Sequence, residues 1–180
     1  GHVLPDLNEC SDALAWSNNT YSKEKSDLEE ILLHVSESIK PNERVIVIGH
    51  SRGGGVASLA AANSHVDGVV LLASVSDFAR RFPSGDKLEE WRNTDRLEVL
   101  NGRTHQILSH SFSFFEDFTL NSEALNIERA VRSLEVPLLV VHGDADKAVS
   151  DVEGRELLSW ASQGQFASIP DTGHTFGTSH

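Results

Sequence analysis

Apolar residues fall along this chain in two patterns that alternate. The first has helical spacing. Leu28, Ile31, Leu32, Val35 and Ile39 recur at i, i+3, i+4, i+7 and i+11, which is one face of a helix. Ser26 with Glu29 offers a capping box, Ser22 offers a start one turn earlier, and Pro41-Asn42 ends the run. Ile127, Ala130, Val131 and Leu134 form a second such face, capped by Asn126, and a third helix is predicted over 152–161 with Leu157, Leu158 and Trp160 as its apolar residues. The second pattern is the short uncharged run. Val45 to Ile48, Gly68 to Ser74 and Leu138 to His142 read as strands buried on both faces, the last entered through Pro137; Phe166 to Ile169 is a weaker fourth. Strands alternating with helices predict an α/β fold, a parallel sheet flanked by helices.

Two stretches break the alternation. Residues 1–20 show no period, and Pro5, Asn8, Asn18 and Asn19 mark them as loop. Between the second and third strands, about 75–135, no strand pattern is visible, while Phe78, Phe82, Trp91, Phe112, Phe114, Phe115 and Phe118 accumulate. This reads as a helical insertion at the carboxyl end of a strand, a cap or lid within a single domain spanning 1–180. Its aromatic residues serve either a substrate pocket or the segment's own core.

Composition narrows the field. The chain has 180 residues, enough for one domain with a substantial core. A net charge of −12, with 27 acidic against 15 basic residues and no basic cluster, disfavours nucleic acid and anionic membrane surfaces as partners. The lone Cys10 excludes an internal disulfide, reads as an ordinary thiol, and suits the cytoplasm. The longest apolar run, Val69 to Val75, is far too short to cross a membrane, and no leader pattern is visible.

The chemistry gathers around Arg44 to Ala62, RVIVIGHSRGGGVASLAAA. A strand leads into Gly49-His50-Ser51-Arg52-Gly53, which fits G-x-S-x-G, and a small-residue helix follows. Strand, sharp turn and helix are the setting of a nucleophile elbow. The glycines on either side of Ser51 are expected because a Cβ there would meet neighbouring backbone. The turn would expose the Ser51 hydroxyl and aim the Arg52 N–H at the same spot.

A serine hydroxyl needs a base to take its proton, and the base needs an acid to orient it. Around such elbows the chain order is serine, acid, histidine. The third strand ends in VVHGDADKAV, where Asp146 is the favoured acid and Asp144 the alternative, since the turn through Gly143 carries Asp146 further over the rim. His174 follows the last strand in a glycine-containing loop, PDTGHTFG, from which it can reach back. His50 is expected to bond or pack locally, and His142 to support the acid turn.

Together the elbow GHSRGG, the acid turn HGDADKAV and the loop PDTGHTFG resemble the alpha/beta-hydrolase superfamily. The likeness is to its bacterial esterase-like and dienelactone-hydrolase or prolyl-oligopeptidase-like groups. The phrases NNTYSKEKSDLEE, ASVSDFARRFP and NGRTHQ resemble one branch of these, and the likeness runs from about Tyr21 to the end. It implies Ser51 as nucleophile, Asp146 as acid, His174 as base and the Arg52 N–H as one oxyanion donor. It further implies hydrolysis of a small-molecule carboxylic ester with no cofactor and no metal. Cleavage of a peptide or acyl-peptide is the alternative, and a non-catalytic binding module a third reading. The family usually places several strands before the elbow strand, a second oxyanion N–H on an early loop and a helix after the histidine. None of these is visible, so the sequence reads as part of a longer hydrolase, with the elbow strand an apolar sheet edge open to self-association into a homo-oligomer.

Overall fold

A computed structural model of the chain describes residues 12–100 and 106–177. Cys10, Pro5 and Asn8 lie outside the described residues. The chain divides into two compact units, Glu24–Arg81 with Glu123–His180, and Gly1–Lys23 with Phe82–Ser122.

The first of these is built on a four-stranded, all-parallel sheet in the order β1-β2-β5-β6, with β1 at Ile46–His50, β2 at Gly68–Leu72, β5 at Leu138–Gly143 and β6 at Gly164–Ile169. Helix α3 (Arg52–Ala61) packs on β1 and β2, α7 (Asp151–Trp160) packs on β5 and β6, and α6 (Ile127–Ser133) touches both helices. Small side chains let α3 lie close to the sheet, and every residue from Gly54 to Ala61 is buried. The core gathers Val47, Val69, Leu71, Leu138, Val140 and Leu157 from the sheet and α7 with Ile127, Val131 and Leu134 around α6. That last set is the face the sequence predicts, and the side chain of Asn126 caps α6 as expected, accepting from the Arg129 N–H at 2.8 Å.

The expectation that β1 is buried on both faces is overturned. Val47 and Gly49 face α3, whereas Ile46 is 49% and Ile48 64% exposed. The reason is position: β1 ends the sheet, and the side away from α3 carries alternate residues that period-2 geometry turns outward. Across that face Val70, Leu72, Leu139 and Val141 are half-buried. The strand runs are otherwise where the sequence predicts them.

Helix α2 (Tyr21–Ser38) starts a turn and a half before the expected capping box. Thr20 accepts from the Lys23 N–H at 3.2 Å and opens the helix, leaving Ser26 inside it. Leu32 is buried, but Ile31, expected on the same face, is 59% exposed. Glu29 of α2 accepts from Asn63 Nδ2 at 2.8 Å, tying α2 to the turn after α3.

The second unit holds α1 (Ala13–Ser17), α4 (Asp86–Thr94), α5 (Ser113–Leu120) and an antiparallel pair, β3 (Leu97–Leu100) with β4 (Ile107–His110). Neither α1 nor the β3–β4 pair is announced by the sequence. Asp12 caps α1 by accepting from the Ala15 N–H at 2.8 Å. Here the aromatic residues pack on one another. Tyr21 lies 4.6 Å from Phe114, Phe82 lies 4.9 Å from Phe118, and Trp91 lies 5.4 Å from Phe112, centroid to centroid. Trp91 is fully buried and its Nε1–H donates to the His110 carbonyl at 3.0 Å. These rings therefore form the unit's own core. Phe78 instead packs in the sheet unit, against Gly55 of α3.

Candidate active site

The elbow lies between the last residue of β1 and the first of α3. Ser51 has φ 56° and ψ −124°, a backbone conformation that L-residues rarely adopt. Backbone bonds hold it there. The Ser51 N–H donates to the Leu72 carbonyl at 2.9 Å, and the Ser51 carbonyl accepts from Gly54 at 3.0 Å and Val75 at 3.3 Å. The end of β2 thus clamps the turn from the side.

The two flanking glycines differ, which corrects the sequence expectation. A Cβ on Gly49 would stand 2.5 Å from the Gly53 carbonyl oxygen and 2.6 Å from the Gly54 Cα, so that position cannot take a side chain. A Cβ on Gly53 would have nothing within 4 Å. Gly49→Ala is therefore expected to destabilise the fold by about 1–3 kcal/mol, whereas Gly53→Ala, inside a helix, should be neutral or stabilise by up to about 1 kcal/mol. Thermal unfolding of the two variants checks the opposite signs.

The Arg52 backbone N–H lies at the first position of α3. The Arg52 guanidinium pairs with Glu24 of α2 at 2.5 Å.

The expected acid lies in the turn after β5. The Asp146 side chain is buried and uses its two oxygens separately. Oδ1 accepts from the Ala148 and Val149 N–H groups at 2.8 and 3.0 Å, and Oδ2 accepts from His174 Nδ1 at 2.8 Å. Burial pushes the Asp146 carboxyl up, but the bonds from Val149, His174 and Ala148 together outweigh it and hold the group below the usual carboxylate range. Beneath this turn His142, fully buried, donates through Nε2 to the Val149 carbonyl at 3.0 Å and lies 3.5 Å from Asp146 Oδ2. That is the support expected of it.

The expected base lies in the loop after β6. Asp144, the alternative acid, instead holds this loop: its Oδ1 accepts from the Asp171 N–H at 2.7 Å. The Asp144 N–H donates to Ile169 and the Ala145 N–H to Thr172, both at 3.1 Å. Thr172 presses directly on Gly143, where a Cβ would collide with its carbonyl. His174 then sits in a turn closed by the Phe176 N–H on the Gly173 carbonyl at 3.2 Å. Its Nε2 lies 2.9 Å from Ser51 Oγ. Since an ionised Asp146 only accepts, the proton on His174 is on Nδ1, and Nε2 is left to accept from the serine hydroxyl. Ser51, His174 and Asp146 thus form a continuous hydrogen-bonded line, though 123 residues separate the first two. His50 also enters the site: its Nε2–H donates to the His174 carbonyl at 2.8 Å. Among the described residues no group of His, Cys, Asp and Glu is placed to hold a metal ion, and no helix is long and apolar enough to cross a membrane.

Because Asp146 titrates lower in the folded chain than in the unfolded one, the unfolded chain binds more protons between those two values. Its contribution to stability is present above the unfolded value, about 3.9, and is lost as pH falls through the folded value. The difference in melting temperature between the wild type and Asp146→Asn should therefore be widest near neutrality and narrow on acidification. A difference that stays constant would remove this role.

By sequence, the model of the alpha/beta hydrolase family matches residues 3–180. No curated protein matches the chain. Among solved structures, the esterase domain of a Rhodothermus marinus protein superposes with a TM-score of 0.63 at 24% identity, over 92% of this chain and 63% of that one. Est1E from Butyrivibrio proteoclasticus with ferulic acid bound gives a TM-score of 0.71 at 20% identity, over 89% and 63%. A monoacylglycerol lipase from Paleococcus ferrophilus gives 0.62 at 16% identity, over 88% and 68%. At these identities the likeness is one of fold, and the chain spans less than two thirds of the length of the first two.

Proposed function

The chain belongs to the alpha/beta hydrolase family, and on that footing we propose that it is the catalytic part of a serine hydrolase acting on a small-molecule carboxylic ester. The observation that carries this reading is the line Ser51 Oγ–His174 Nε2 and His174 Nδ1–Asp146 Oδ2, at 2.9 and 2.8 Å. In the proposed reaction His174 Nε2 takes the Ser51 proton as Oγ attacks the ester carbonyl carbon. Asp146 stabilises the imidazolium that forms, and the Arg52 N–H donates to the oxyanion. Collapse of the tetrahedral intermediate expels the alcohol, which receives the proton from His174. Water, deprotonated by the same imidazole, then attacks the acyl-Ser51 carbonyl, and the acid leaves as the proton returns to Ser51.

Esters are favoured over amides in this reading because two of the similar structures are named an esterase domain and a monoacylglycerol lipase. The experiment is labelling of the complete protein with a fluorophosphonate, followed by a panel of p-nitrophenyl esters and aminoacyl amides. Labelling at Ser51 with ester turnover is expected. Absence of labelling would return the protein to a binding role, and preference for the amides would make it a peptidase.

A further inference from the structure

We propose that His50 is a positioning residue for the base: it pins the His174 loop to the elbow and so keeps the imidazole aimed at Ser51. This rests on the reading of Ser51 and His174 given above and goes beyond it, since His50 exchanges no proton in that reaction.

The case begins with how the loop is fixed. Upstream of His174, bonds at Asp171 and Thr172 secure it to the acid turn. Those contacts set its height above β5 and β6, strands that lie across the sheet from β1. The serine arrives on β1. The distance between Ser51 Oγ and His174 Nε2 therefore depends on two pieces of chain anchored at different places. Downstream of Thr172 the loop is held to the acid turn by the His174 Nδ1–Asp146 bond and by its own turn, in which Phe176 has φ 56° and Gly173 has open space around it. Such a turn fixes its internal shape but not its swing toward the elbow.

His50 supplies a tether from the elbow side. It immediately precedes the nucleophile, so its backbone moves with the elbow. Its Nε2–H donates to the carbonyl of His174 itself at 2.8 Å. Its ring also lies 4.8 Å from the His174 ring and 6.3 Å from Phe176, edge to face in the second case. Bond and ring contacts together hold the base from both its backbone and its side chain. The carbonyl only accepts, so His50 must carry its proton on Nε2, while His174, donating to Asp146, carries its own on Nδ1. Two adjoining imidazoles in opposite tautomers are the signature of this arrangement. His50 bonds to the His174 carbonyl, and it is His174 that bonds to Ser51 Oγ, so His50 acts as a tether.

The test uses the complete protein. His50→Leu removes the donor, and His50→Gln keeps an N–H at a similar reach. A displaced general base lowers kcat with little change in KM, so His50→Leu is expected to lose about 10- to 100-fold in kcat. His50→Gln should recover most of it. Nitrogen-15 NMR of the wild type should show Nε2 protonated in His50 and Nδ1 protonated in His174. Wild-type kcat in His50→Leu, or an equal loss in both variants, would overturn the tether. If His50→Leu does not fold, the tautomers decide: a His50 Nε2 that carries no proton overturns it. Wild-type protein that labels with fluorophosphonate at Ser51 yet ignores the His50 substitutions refutes this inference alone. A wild type that does not label at all refutes the serine-hydrolase reading, and the tether with it.

Discussion

Ser51→Ala is expected to lower ester turnover by about 10⁴-fold or more while leaving the fold intact. The substitution removes one oxygen. The bonds that hold the elbow run through the Ser51 N–H and carbonyl, which alanine retains, and the left-handed backbone requirement is the same for both residues. The His174–Asp146 bond and the tether to the acid turn are untouched. The variant should therefore melt within a degree or two of the wild type, on the order of what a surface-neutral change gives. It should still bind substrate, and its fluorophosphonate labelling should vanish. Initial rates with a short-chain p-nitrophenyl ester measure the effect. Undiminished turnover would mean that another group attacks the carbonyl.

Asp146→Asn should cost about as much, roughly 10⁴-fold in kcat, for a different reason. The orientation of an asparagine here is dictated by the backbone. Ala148 and Val149 both donate to Oδ1, so the amide must keep its oxygen there and place its NH₂ where Oδ2 now faces His174. An NH₂ can only donate, so His174 Nδ1 must accept, and the imidazole proton moves to Nε2. It then points at Ser51 Oγ, and the base has lost the lone pair it needs. Asp144→Asn makes a useful contrast. Its carbonyl oxygen can still accept from the Asp171 N–H, so the loop keeps its anchor and kcat should change by less than about ten-fold. Comparable losses in both variants would show that the second carboxylate does more than hold the loop.

Much of this site can be read from the sequence because its chemistry is local to short motifs. G-x-S-x-G between an apolar run and a small-residue helix is a backbone requirement written in residue types. Asp146 follows from the reach of a turn through Gly143. His174 follows from chain order. Less visible are the groups that act through geometry between motifs. His50 and Asp144 lie inside the elbow and the acid turn, and their partners, His174 and Asp171, are 124 and 27 positions away. No spacing rule links them. The same holds for Gly53, which looks equivalent to Gly49 in the motif but lies on the exposed side of α3, facing open space.

The fold divides along similar lines. Buried strands such as Leu138–Gly143 are legible as uncharged runs. The exposure of Ile46 and Ile48 is not, since a run of β-branched residues does not state whether its strand has a neighbour. The β3–β4 pair escapes notice because LEVL and ILSH are short, mix charge with apolar residues, and pair only with each other. The aromatic residues could be counted in advance. That they lie against one another could not, because composition carries no distances.

One consequence remains in the backbone of Ser51. An L-residue at φ 56° stands about 1–3 kcal/mol above its comfortable conformations, and glycine would be at ease there. The most durable version of this turn and the working version are thus different proteins. Drift toward greater robustness would meet no resistance from the sheet or the helices at this position. On the proposed reaction, what keeps the residue from becoming glycine is the need for an oxygen atom.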